Sequence, residues 1–158
     1  MQITHSLHKA LFNEVSEFKV IYLIVRPHNY YFNDDLSEQG KPGNFIGSEE
    51  EANIDLFLER LNFVCMWLLQ SRKGSKSEML FRKHIYRVYK APFFRDYFSF
   101  LANIKDIDSS GTYFPFIHKY AKQRFGMSHP NENYRENAID VHPAQVSSPE
   151  PLEGSTDH

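Results

Sequence analysis

One cysteine, Cys65, stands alone among 158 residues. That excludes an internal disulfide and, with it, the stapled scaffolds that depend on several. Its neighbours, "NFVCMWLL", are apolar, so the thiol reads as a small buried hydrophobe. Glycine is scarce too, seven against 14 Phe and nine Tyr, which favours packing of bulky side chains over a turn-rich sandwich. The longest apolar run, "FVCMWLL" at 63–69, falls far short of the ~20 residues that cross a bilayer. The opening "MQITHSLHKALFNE" has neither the basic start nor the apolar stretch of a signal peptide. A cytoplasmic chain with no membrane partner is the expectation. There is also no Gly-x-Ser-x-Gly, no phosphate-cradling glycine loop, no zinc finger and no Cys–His pair at useful spacing. No metal site, cofactor or catalytic centre is therefore expected.

What is present is a core-forming chain, 41% hydrophobic and 15% aromatic, which excludes wholesale disorder. Its apolar residues recur at helical spacing. Leu7, Leu11, Val15 and Phe18 form one stripe, with Thr4 as N-cap and an end before Pro27. Residues 27–47 are rich in Pro, Asn, Asp and Gly and read as a loop. Ser48 with Glu51, and Ser75 with Glu78, each have the spacing of a capping box. The first predicts a helix over "EEEANIDLFLERLNFVCMWLLQSRKG", with Ile54, Leu58, Leu61, Val64, Cys65 and Leu68 facing in. The second predicts one over "SEMLFRKHIYRVYK", with Phe81, Ile85 and Val88 inward. Pro92 kinks or restarts that helix, and "TYFPFIHKYAKQRFG" makes the last, with Gly126 past its end.

The expected architecture is thus all-α: a compact bundle of about five helices over residues 1–126. From Met127 the chain holds four of its eight prolines and one basic residue against six acidic ones, which predicts a disordered acidic tail, 127–158. The whole chain is −2, yet residues 1–126 hold 17 basic and 14 acidic residues, net +3.

Charge is also segregated within the bundle. Residues 34–59 hold eight acids and one lysine, while 70–95 hold eight basic residues and one acid. Lys90 and Arg95 are expected to return to Glu49, Glu50 or Asp55. Arg72, Lys73, Lys76, Arg82 and Lys83 have no evident local partner. Lys76, Lys83, Arg87 and Lys90 share one helical face flanked by Tyr86 and Tyr89. That mixture suits phosphates and exposed bases, although most charged helical faces are solubilising outer surfaces. A second candidate surface is apolar: Phe57, Phe63, Met66 and Trp67 extend hydrophobic character around the long central helix.

The histidines give little chemistry. His5 and His8 share a face, but two ligands without a third make no zinc site. His84 and His118 lie beside apolar stripes and are expected to make core hydrogen bonds. "RFGMSH", Arg124 to His129, has the Arg-x4-His spacing and in that resembles the HEPN ribonucleases, an all-helical family. The resemblance implies Arg124 on a scissile phosphate and His129 in acid/base chemistry. Phe125 stands where that family has a polar residue, and Gly126 and Pro130 interrupt the helix.

Residues 54–101, through Leu58, Glu59, Leu61, Asn62, Phe63 and Gly74, resemble the core of an uncharacterised bacterial helical family of unknown function. The resemblance implies an accessory protein of bacterial or phage origin and transfers no catalytic residue; many members of that family carry membrane helices. The first functional reading is a non-catalytic interaction or regulatory protein using Phe63, Met66 and Trp67 toward a protein partner or itself. The alternative is nucleic-acid binding by Arg72, Lys73, Lys76, Arg82, Lys83, Arg87 and Lys90, and the third a HEPN-like ribonuclease.

Overall fold

The computed structural model describes residues 2–9, 11, 20–104, 113–132 and 134. Its helices are α1 (Gln2–Lys9), α2 (Val20–Val25), α3 (Glu49–Gln70), α4 (Lys76–Lys90), α5 (Pro92–Ala102) and α6 (Pro115–Phe125), with no strand among the described residues. The all-α bundle expected from periodicity is what forms. α3 packs chiefly on α6, α5 on α2 and α4, and α4 also on α1 and α6. One continuous core joins them, from Leu11 and Leu23 through Leu61, Phe81 and Phe98 to Tyr120. The stripe expected for the first helix is met at Leu7 and Leu11, while Val15 and Phe18 lie outside the described residues.

Local chemistry sets the helix ends. Ser75 accepts a bond from the Glu78 N–H at 3.2 Å, and the Glu78 carboxylate accepts one from Gly74 N–H at 2.9 Å. At α3 the box is only half made. Glu51 accepts from Gly47 N–H at 2.7 Å, but the Ser48 hydroxyl turns back to the Phe45 carbonyl at 2.6 Å. In both cases the glutamate reaches the glycine before the cap. Gly47 and Gly74 have φ of 81° and 80°, which turns their N–H toward the helix's first turn at no steric cost. α3 stops at Gln70, four residues before the glycine expected to close it, and Ser71 is extended. Ala91 is extended between α4 and α5, so Pro92 starts a new helix rather than kinking one.

α6 lacks a cap of its own: Phe114 stands at its N-cap with φ 56°, a left-handed value that side-chain-bearing residues seldom adopt. The missing acceptor comes from another helix. Asn62 Oδ1 of α3 takes the N–H groups of Phe116 and Ile117 at 2.9 and 3.2 Å, satisfying the orphan donor of Phe116 and sharing that of Ile117 with the Phe114 carbonyl.

The 27–48 loop is built into the core rather than laid over it. Phe45 is fully buried among Tyr30, Phe32, Phe93 and Tyr97. Asn44 ties the turn, donating to the carbonyls of Asn33 and Glu38, both at 2.9 Å, and accepting from the N–H groups of Asn33 and Ile46.

Beyond Gly126, residues of the expected tail remain against the bundle. Asn131 is buried and donates to the Ser99 carbonyl at 3.0 Å and the Asn103 side chain at 2.8 Å. Tyr134 stacks on His129. The rest of that expected tail, 135–158, lies outside the described residues.

Asn62→Ala is expected to cost about 0.5–2 kcal/mol, the range for a lost helix cap, with Asn62→Asp retaining most of the stability because a carboxylate also accepts there. Urea unfolding of the three proteins checks this; equal midpoints for the native and alanine chains would show that the cross-helix cap contributes nothing.

Candidate functional site

α3 carries more apolar surface than the core uses. Ile54, Leu58, Leu61, Val64, Cys65 and Leu68 face inward as expected, joined by Phe57, which packs on Phe94 and so leaves the outer band assigned to it. On the opposite side Leu56, Phe63 and Trp67, spaced by seven and four residues, fall in one row at ~100° per residue. They are 46%, 59% and 37% exposed. Met66 sits half-buried at the margin of this row, and Glu59 and Arg60 are exposed within it. Two of the three predicted interface residues are thus open and the third is partly so. Leu56 was missed, although its position seven before Phe63 places it on the same face.

The basic residues of the α3–α4 turn and of α4 are all at the surface: Arg72, Lys73, Lys76, Arg82, Lys83, Arg87 and Lys90 are exposed. Among the described residues none of the seven forms an ion pair. Arg82 reaches the Arg124 carbonyl at 3.4 Å and lies 5.7 Å from the Phe125 ring centre. Lys90 stands over Tyr86 at 5.6 Å. The expected return of Lys90 and Arg95 to the acidic segment gives way to aromatic contacts, Arg95 lying over Tyr89 at 5.8 Å. The acids are engaged elsewhere. Asp55 accepts from the Tyr97 hydroxyl at 2.5 Å, and Glu38 pairs with Lys41 at 2.7 Å. Tyr86 is 40% exposed beside the cations, but Tyr89, also expected there, is a core residue. At three residues past Tyr86 it turns away from the basic face toward Phe98 and His118.

Asp34, Glu51, Asp55 and Glu59 line a cavity of about 190 Å³ with Tyr97, Tyr113 and Phe114. Burial, with Glu51 and Glu59 nearby, raises the Asp55 pKa against the lowering effect of the Tyr97 bond. Among the described residues no group of three or more His, Cys, Asp or Glu side chains is placed to hold a metal ion.

The Arg124–His129 pair is not assembled as a catalytic unit. Arg124 Nε lies 3.1 Å from Glu78 Oε1 in the interior; the same oxygen accepts from the Tyr120 hydroxyl at 3.1 Å. Its guanidinium is therefore occupied by a buried carboxylate. His129 keeps different company: its ring centre is 3.9 Å from that of Tyr134 and 4.2 Å from that of His118. Its Nδ1 accepts from Asn131 N–H at 2.9 Å. His118 is buried and, as expected, makes a core hydrogen bond, to the Tyr89 hydroxyl at 3.1 Å. His84 packs edge-on to His8.

Comparison of the chain with models of protein families, with curated proteins and with solved structures finds no match in any of the three. The resemblance drawn over residues 54–101 gains no support from them.

Burial holds His118 well below its ordinary pKa of 6.5, with His129 adding to the effect and a bond to the Tyr113 backbone opposing it. Burial lowers His8 and His84 as well. The folded chain protonates these rings less readily than the unfolded chain, which takes up protons near pH 6.5, so this stability is complete above that value and falls as pH drops below it. His118 is expected to contribute a loss of up to about 1.4 kcal/mol per pH unit on the acid side. Urea midpoints between pH 7.5 and 5 check this, and His118→Phe, less stable at neutral pH, should show the shallower slope.

Proposed function

We propose that this protein is a non-catalytic interaction protein that binds a protein partner, or a second copy of itself, through the exposed row on α3. The observation that supports this reading is the alignment of Leu56, Phe63 and Trp67 on the solvent side of one helix. Single exposed apolar residues are ordinary, but aligned ones form a patch whose removal from water favours association. Trp and Phe supply large area with few rotatable bonds, as residues that dominate interfaces do. Glu59 and Arg60 beside them provide polar groups of both signs for a rim.

In sedimentation equilibrium the native chain is expected at twice its 18.6 kDa mass, and Phe63→Ser/Trp67→Ser at the monomer mass with unchanged far-UV circular dichroism. A native monomer would restrict the reading to a different partner. If the double variant also leaves binding of an apolar dye unchanged, the row is not an accessible surface and the reading falls.

A second reading rests on α4. Seven exposed cations free of described ion pairs, with Tyr86 open among them, favour contact with a polyanion such as single-stranded nucleic acid. Five phosphate contacts predict a log–log salt slope of about −3 to −4 on a single strand. Fluorescence anisotropy with a labelled oligonucleotide measures it. Lys83→Glu/Arg87→Glu is expected to abolish binding, and a slope near zero would remove the reading.

A further inference from the structure

The basic face of α4 presents exposed cations that form no ion pair among the described residues, and the same chain contains a segment of matching chemistry. Residues 135–158 hold five carboxylates, Glu136, Asp140, Glu150, Glu153 and Asp157, against the single Arg135, net −4. We propose that this segment docks in cis on the α4 face formed by Lys76, Lys83, Arg87 and Lys90, and competes there with outside polyanions.

Four observations support this occupant over others. The face is unpaired: none of its four cations makes an ion pair with a described carboxylate. It is not uniformly polar, since Met79 and Tyr86 lie among the cations and are 73% and 40% exposed. The segment has a matching alternation, with Ile139, Val141, Val146 and Leu152 interspersed among its acids. Finally, the described chain ends on the same bundle: Tyr134 lies against His118 of α6, whose bond to Tyr89 is on the inner side of α4, so the segment passes round that helix to reach its outer face.

Reach is no obstacle. α4 has 15 residues and spans ~22 Å at 1.5 Å per residue, whereas the 24 residues after Tyr134 extend to ~80 Å. Individual surface pairs are weak, but the tether sets an effective concentration in the millimolar range. A contact too weak to join separate molecules therefore closes within one. The proposal rests on the charge of α4 and stands whether or not nucleic acid is the outside ligand.

The test is zero-length carbodiimide cross-linking of the full chain, in an equal mixture of natural-abundance and ¹⁵N-labelled protein, mapped by mass spectrometry. Expected are amide links from Lys76, Lys83 or Lys90 to Glu150, Glu153 or Asp157, each within one isotopic species and lost in high salt. They should also vanish in the full-length variant E136Q/D140N/E150Q/E153Q/D157N. Absence of these links overturns the proposal, and so do links that join the two isotopic species, which would make a second copy the occupant. Where the native chain binds a single-stranded oligonucleotide, the five-fold variant is expected to bind it about tenfold tighter at low salt, as release of a tethered competitor requires; equal affinities overturn the competition. Cross-links present with no oligonucleotide bound by either protein leave the docking standing and remove the nucleic-acid reading.

Discussion

A carboxylate with 1% of its surface exposed stands at the join of the fold. Glu78 in its ionised form loses nearly all hydration, a cost of several kcal/mol unless its oxygens find donors. It meets two, the Gly74 amide and the Tyr120 hydroxyl, and the Arg124 guanidinium lies 3.1 Å away as the opposite charge. These belong to the α3–α4 turn and to α6, so one side chain fixes the start of α4 relative to the last helix. Removing any one partner leaves buried charge under-compensated, which makes the arrangement specific as well as cohesive. The Tyr120 pKa is raised by burial and by the nearby Glu78 charge, which keeps the phenol a donor. With that end of α4 held, its inner residues Phe81, Ile85, Val88 and Tyr89 are committed to the core, and its cations have only the outside left.

The two candidate surfaces share that logic. α3 must bury one side against α6 and does so through an unbroken inward stripe, with Asn62 adding the cap that α6 lacks. Nothing in that packing requires Leu56, Phe63 or Trp67 on the far side. Likewise nothing in the packing of α4 requires Lys76, Lys83, Arg87 and Lys90 to occupy one face. Surfaces that the fold does not need are where an interaction role has room.

Much of this was legible in the residues. Period and caps located the helices, because an amphipathic stripe and a serine–glutamate box are local properties. Tyr89 was misplaced although the same period could have corrected it: four residues after Ile85 it falls on the buried side, and only its nearness in sequence to lysines suggested otherwise. Glu78 read only as part of a capping box because its other partners, Tyr120 and Arg124, lie more than forty residues away. Asn44 and Asn62 were unreadable in a stronger sense. Each is an ordinary polar residue until tertiary packing brings unsatisfied backbone groups to it. The acid-to-base pairing failed for a related reason, as tyrosines and loop amides compete for carboxylates and charge sign alone does not decide.

Cys65 lies in the C-terminal half of α3, fully buried on the side that faces the core, and burial pushes its ionisation far above the ordinary thiol range. Only a thiolate attacks common labelling reagents, so this sulfur is silent while the interior stays closed. The chain has no second cysteine to confuse the signal. Nature has in effect placed a single clock at the centre of the molecule: the rate at which Cys65 becomes reactive reports how often the bundle opens around it, with no engineered probe and no change to the sequence.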